Sequence, residues 1–143
     1  MINVAKATPG SAAPPIDWHV GDATSLPFPD SSYDVVLCQM GLMFIEDRAA
    51  AVAEMHRVLA ADGRVVVGTP GGIQQPFIVL EQAIVEHISA DLGGFVRAAF
   101  SMHDPDAVAA LLRGAGLRDV TGTVSSAHLR CRRRSSSCGS TST

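Results

Sequence analysis

The apolar and polar positions of this chain change period several times, and each change predicts an element. IDWHV, residues 16–20, alternates as a half-buried strand does. TSLPFPDSS, residues 24–32, holds two prolines and reads as a loop. YDVVLC, residues 33–38, is a short continuous apolar run behind one Asp, the pattern of a strand covered on both faces in a parallel sheet. From Asp47 to Leu59 the apolar residues Val52, Met55, Val58 and Leu59 gather on one helical face. AADG, residues 60–63, reads as the end of that helix, with Gly63 in the left-handed position of the cap. RVVVGT, residues 64–69, is a second buried strand.

Beyond PGG, the span Gln75–Leu92 reads as one helix, with Phe77, Leu80, Ile84 and Ile88 inward and the glycines at 93 and 94 interrupting it. His103-Asp104-Pro105 is a helix start: Asp can cap and Pro is preset for the first turn. Val108, Leu111, Leu112 and Ala115 give that helix its inward face, and Gly116 ends it. LRDVTGTV, residues 117–124, reads as a last strand. At the N-terminus, INVAKA reads as the last turns of a helix that TPGSAAPP stops. Helices alternating with strands predict an α/β fold with a mostly parallel sheet.

Composition changes this picture at one end only. The hydrophobic share of 47% is ordinary for a globular domain, and 143 residues predict one. We expect residues 1–129 to form the domain and the Arg/Ser-rich stretch 130–143, RCRRRSSSCGSTST, to be a disordered tail, either native or the product of an out-of-frame reading. Four of the 11 basic residues, Arg130, Arg132, Arg133 and Arg134, lie in that tail, whereas every acid precedes residue 120. An acidic body is not the footprint of a nucleic-acid binder, so no nucleic-acid partner is expected. No apolar run approaches a membrane span and the N-terminus has no signal-peptide pattern, which predicts no membrane partner and a cytoplasmic location. Three cysteines without CxxC or paired His spacing predict neither a disulfide framework nor a metal site.

One ordered run carries chemistry. GDA at 21–23 is followed by LPFPD, by the strand opening in YD, by a helix ending in RVLAADG and by a VVV strand. In that order, the segment 16–70 resembles the class I S-adenosylmethionine-dependent methyltransferases, and among them the small-molecule, ubiquinone/menaquinone-biosynthesis-like branch. HDPDAVAALLRGAGLRDV extends the resemblance to about residue 125. It implies a Rossmann-like doubly wound sheet, with S-adenosylmethionine as cofactor across the carboxyl ends of the strands. Carried onto this sequence, Asp22 meets the exocyclic amine of adenine and the Ala23 N–H meets a ring nitrogen. Cys38 and Gln39 lie beside the methionine part of the cofactor. Leu42, Met43, Phe44 and His103 fall where the family lines a pocket for a small-molecule acceptor. No catalytic base is implied, and His19 and His56 read as structural.

Taken by itself, Asp22 has a second reading as the cap of a Gly-Asp turn. The family's Gly-rich DxGxGxG loop and its ribose-binding acid have no counterpart in this sequence, so the resemblance implies a partial sheet lacking the first two strands, in a chain truncated at the N-terminus and at the C-terminus. Two function classes follow. One is methyl transfer to a small molecule. The other is a non-catalytic remnant or binding module that needs a complementing chain for the Gly-rich half, or that self-associates through exposed sheet edges. A nucleotide-binding dehydrogenase fits less well, because no dinucleotide fingerprint is present.

Overall fold

A computed structural model describes residues 16–126. The expected helix end at INVAKA and the expected tail at 130–143 lie outside the described residues. The elements are strand β1 (Tyr33–Gln39), a 3-10 turn (Leu42–Phe44), helix α1 (Arg48–Val58), strand β2 (Leu59–Gly68), and helices α2 (Gln75–His87), α3 (Ala90–Ala99) and α4 (Pro105–Gly114). β1 and β2 pair in parallel, Val36 opposite Val65 and Cys38 opposite Val67. This is a β–α–β unit, the building block of a Rossmann-like doubly wound sheet, and the described residues form a partial fold of that α/β class.

The helix starts follow local chemistry. Asp47 caps α1 by accepting from the Ala50 N–H at 2.9 Å, and Asp104 caps α4 by accepting from the Asp106 N–H at 3.0 Å. Gly116 has φ +92°, the left-handed geometry that stops α4. The core joins Leu42 and Met43 of the 3-10 turn to Ala51, Val52 and Met55 of α1, with Met102 closing it. The α4 residues expected inward, Val108, Leu111, Leu112 and Ala115, pack on this cluster.

Four expectations are corrected. First, α1 does not end in a left-handed Gly63. β2 begins directly at Leu59, and residues 60–63 form a bulge between the pairings Tyr33–Leu59 and Val35–Arg64. Gly63 is needed there for space, because a Cβ would lie 2.8 Å from Leu59 Cδ1 and 3.0 Å from the Ala60 carbonyl oxygen. Second, the helix expected over 75–92 breaks at Ile88, since Ser89 accepts from the Asp91 N–H and starts α3. The glycines 93 and 94 fall inside α3. Gly93 permits close packing on α2, where a Cβ would collide with Val85. The buried residue of α2 is Glu81, while Phe77, Leu80 and Ile88 are exposed.

Third, residues 16–20 and 117–124 form no strand. A strand needs a ladder partner, and neither segment has one among the described residues. Asp119, at φ 54°, also breaks the second segment's extended path. Fourth, among the described residues β1 is covered on one face only. Val36 and Cys38 pack on the core, but Leu37 is 66% exposed, and Val35 and Val66 beside it are also exposed.

The loop between the GDA turn and β1 is tied to α1 by one charged cluster. Arg57 Nη1 donates to the Phe28 carbonyl at 2.9 Å and to Asp30 Oδ1 at 2.6 Å. Its Nη2 donates to the Leu26 carbonyl at 3.0 Å and to Glu54 Oε2 at 2.8 Å, and its Nε donates to Glu54 Oε1 at 2.7 Å. Glu54 Oε2 also accepts the Leu26 N–H at 2.7 Å. The loop's far end is held by backbone, with the Ser31 and Ser32 N–H groups on the carbonyls of Arg57 and Val58, both at 2.9 Å. The Arg57 hydrogen bonds, and then the Leu26 N–H, hold the Glu54 carboxyl at about 2, against an ordinary 4.5. Glu54 and then Asp30 push the Arg57 guanidinium further above its usual range.

Four outcomes follow. Arg57→Ala will speed hydrogen exchange at the Leu26, Ser31 and Ser32 amides about tenfold or more. Arg57→Lys will not restore protection, because an ammonium cannot span both carbonyls and the carboxylate. Glu54 has a depressed carboxyl pKa, so its contribution to stability is present above about pH 4.5 and is lost as pH falls through about 2. The denaturant midpoint of Glu54→Gln will therefore lie below that of the unsubstituted chain at neutral pH and converge on it across this acid window. Leu42 is fully buried, and Leu42→Ala will cost about 2–5 kcal/mol in equilibrium unfolding.

Candidate functional site

Gly21, Asp22 and Ala23 form a tight turn ahead of the clamped loop. The Thr24 N–H and the Thr24 hydroxyl both donate to Asp22 Oδ1, each at 2.8 Å, and the Ser25 N–H meets the Asp22 carbonyl at 3.1 Å. The Asp22 carboxylate therefore builds the turn through one oxygen. Its second oxygen, Oδ2, has no partner among the described residues. The Thr24 N–H, then the Thr24 hydroxyl, lowers the Asp22 pKa, so the group is a carboxylate at neutral pH. Oδ1 thus caps the turn, as the local reading of Gly-Asp expects, while Oδ2 stays exposed and is not engaged by the turn.

A cavity of about 350 Å³ opens beside this turn. Trp18, His19, Gly21, Ala23, Leu26 and Phe28 line it. Its walls are mainly apolar, and the aromatic ones brace each other. Phe28 meets His19 edge-on at 5.1 Å and Tyr33 at 5.3 Å. Arg57 fixes this wall from behind through the Leu26 and Phe28 carbonyls. His19 Nε2 pairs with exposed Asp17 at 2.8 Å, and the His56 ring lies under Gly116, where a Cβ would be 3.1 Å from its Cε1. Both histidines have structural neighbours.

At the carboxyl end of β1, Cys38 is a half-buried free thiol packed on the core. The Gln39 side chain lies across Gly68 of β2, so closely that a Cβ on that glycine would clash with its amide. Met40 then turns the chain at φ 53°, a conformation that costs a non-glycine residue free energy, and its N–H is held by the Gly68 carbonyl at 2.9 Å. Ala23 and Cys38 both pack on the core cluster, so the GDA turn and the end of β1 share one support.

The residues expected at an acceptor pocket are divided. Leu42 and Met43 are buried within the core. Phe44 is 49% exposed and stacks on Phe95 of α3 with ring centroids 5.3 Å apart. His103 lines a second cavity, with Ile73, Ile78, Glu81, Arg97 and Phe100, and its Nδ1 lies 3.0 Å from the Phe100 carbonyl. Sequence reasoning missed Glu54 and Arg57, whose signal is an acid and a base three apart on one helix. It also missed Arg97 and Glu81, a charged pair set among apolar helical positions.

Comparison with known proteins matches these features to one family. The profile described as "Methyltransferase domain" matches residues 1–67. A demethylmenaquinone methyltransferase of Deinococcus radiodurans is 28% identical over 130 residues, covering 82% of this chain and 54% of that protein. The ubiquinone/menaquinone biosynthesis C-methyltransferase UbiE of Desulfotalea psychrophila is 33% identical over 117 residues, covering 73% and 48%. A demethylmenaquinone methyltransferase of Beutenbergia cavernae is 33% identical over 135 residues, covering 80% and 55%. The chain thus spans about half the length of these curated relatives. A solved structure, the YcgJ protein of Bacillus subtilis, shares 29% identity over 55% of this chain and 38% of its own, with a TM-score of 0.35. The ordered motifs from GDA to the VVV strand, the methyltransferase profile and the curated relatives together support membership of the class I S-adenosylmethionine-dependent methyltransferase family, in its ubiquinone/menaquinone-biosynthesis-like branch.

Proposed function

We propose that this chain carries the adenine end and the acceptor side of a methyltransferase that moves the methyl group of S-adenosylmethionine to a small molecule. The observation that carries this reading is the Asp22 carboxylate, its Oδ2 without a partner among the described residues, on a turn held by Thr24 whose neighbouring residues Gly21 and Ala23 line an aromatic-walled cavity of about 350 Å³. An adenine fits that chemistry: its exocyclic amine donates to a carboxylate, and its ring is taken by apolar and aromatic walls. The Ala23 N–H is the backbone donor assigned to a ring nitrogen. Cys38 and Gln39 are assigned to the methionine part, next to the end of β1. The cofactor, when bound, supplies a methyl group made electrophilic by its sulfonium.

The chain's own work on this reading is positioning. Asp22 sets the adenine end, the clamped Leu26–Phe28 wall gives it an apolar side, and the turn at Met40 leads directly from β1 to the residues of the acceptor side. Titration with S-adenosylhomocysteine, read by calorimetry and by the fluorescence of Trp18, the single tryptophan, tests this. Saturable binding at one site is expected. Asp22→Ala will weaken it about tenfold to a hundredfold, the range for loss of one charged hydrogen bond. Absence of binding to the unsubstituted chain contradicts the reading.

The bare face of Val35, Leu37 and Val66 favours a second reading, in which the chain is a binding module that completes its sheet against another polypeptide. Sedimentation velocity separates the two readings at the level of self-association. A concentration-dependent dimer abolished by Leu37→Lys supports the second, and a monomer at all concentrations counts against that form of it.

A further inference from the structure

The second cavity, of about 590 Å³, lies between the loop after β2, helices α2 and α3, and the turn before α4. Its volume is in the range of small-molecule sites. Ile73, Ile78 and Phe100 make it apolar, and Glu81, Arg97, Ser101 and His103 add polar groups. The hydrogen bonds among these groups show what is left over for a ligand. Glu81 is 8% exposed, and its Oε1 takes the Nε–H of Arg97. That bond neutralises the buried carboxylate and orients the guanidinium. The Nη1 and Nη2 groups of Arg97 make no hydrogen bond among the described residues, and its side chain is 78% exposed. Ser101 Oγ accepts from Arg48 Nη2 at 3.1 Å, so the Ser101 proton is left to donate. The Phe100 carbonyl can only accept, so His103 Nδ1, at 3.0 Å, carries a proton and Nε2 is the ring atom left to a ligand.

The cavity therefore offers a two-pronged guanidinium donor and a hydroxyl donor for an oxyanion, and an apolar wall. A second guanidinium, Arg48, stands behind Ser101. We infer that this cavity binds an apolar organic carboxylate, its oxygens on Arg97 and Ser101 and its hydrocarbon or aromatic body against Ile73, Ile78 and Phe100. On the function proposed above, that carboxylate is the methyl acceptor. The binding itself rests only on the cavity.

The test uses 2-naphthoate and its uncharged isostere 2-naphthamide, titrated into the full chain without any sulfonium cofactor. Naphthoate is expected to bind at least about tenfold more tightly than the amide, because the guanidinium fork discriminates the charged oxygen pair. Arg97→Lys keeps the charge opposite Glu81 but lacks the fork, and it will reduce that preference by about fivefold or more. Ser101→Ala leaves the Glu81–Arg97 pair in place and will weaken naphthoate but not naphthamide. The inference is overturned by equal affinity for the two probes, by no binding of either, or by naphthoate affinity that neither variant changes. A chain that binds naphthoate selectively yet shows no affinity for S-adenosylhomocysteine leaves this inference standing and removes the methyl-transfer reading.

Discussion

The hold of Arg57 on the loop between residues 24 and 32 is the interaction on which the rest depends. One guanidinium reaches two backbone carbonyls, Leu26 and Phe28, and two carboxylates, Glu54 and Asp30. A loop with two prolines cannot satisfy its own backbone groups as a helix or a ladder would. The side chain of a neighbouring helix does so here. Because Glu54 also takes the Leu26 N–H, the pair fixes the loop by donor and acceptor together. The consequence runs outward in both directions. Toward the core, the loop delivers Tyr33 to the start of β1. Toward solvent, it holds the Leu26 and Phe28 wall beside the Asp22 turn.

The β–α–β unit uses this economy of parts to support two cavities from one small core. Leu42, Met43, Val52 and Met55 lie beneath both the end of β1 and the segment that leads to His103. The family places its cofactor over strand ends, and here the strand end is where the unusual backbone lies, with Met40 left-handed and Gln39 folded over Gly68. The opposite sheet face has apolar side chains and no cover among the described residues. A sheet with one packed face is tolerated by antiparallel folds more readily than by parallel ones.

Much of the local structure was legible in the sequence. β1, α1 and α4 follow from an apolar run, a 3.6-residue stripe and Asp caps, and each of these signals is contained within the element it predicts. The segments 16–20 and 117–124 were misread because alternation describes a strand's faces and says nothing of its ladder partner. The break at Ile88–Ser89 was hidden by the glycines a few residues on, of which Gly93 marks close packing with Val85 and not an end. The turn reading of Asp22 was legible because GDA is local. Glu54 and Arg57 were not, since their loop partners are backbone groups about thirty residues away in sequence, an N–H for Glu54 and carbonyls for Arg57, and backbone groups leave no trace in a residue pattern. Arg97 and Glu81 escaped for the same reason: their pairing depends on how α2 lies against α3.

The central claim is that the Arg57 clamp and the Asp22 turn act as one unit in holding adenine. A double-mutant cycle on S-adenosylhomocysteine affinity, with Arg57→Ala, Asp22→Ala and the double substitution, tests it most directly. The account predicts strong non-additivity, the double variant binding hardly more weakly than the worse single variant, because a turn on an unclamped loop has already lost its aim. Additive losses, or an Arg57→Ala chain that binds as tightly as the unsubstituted one, would contradict it.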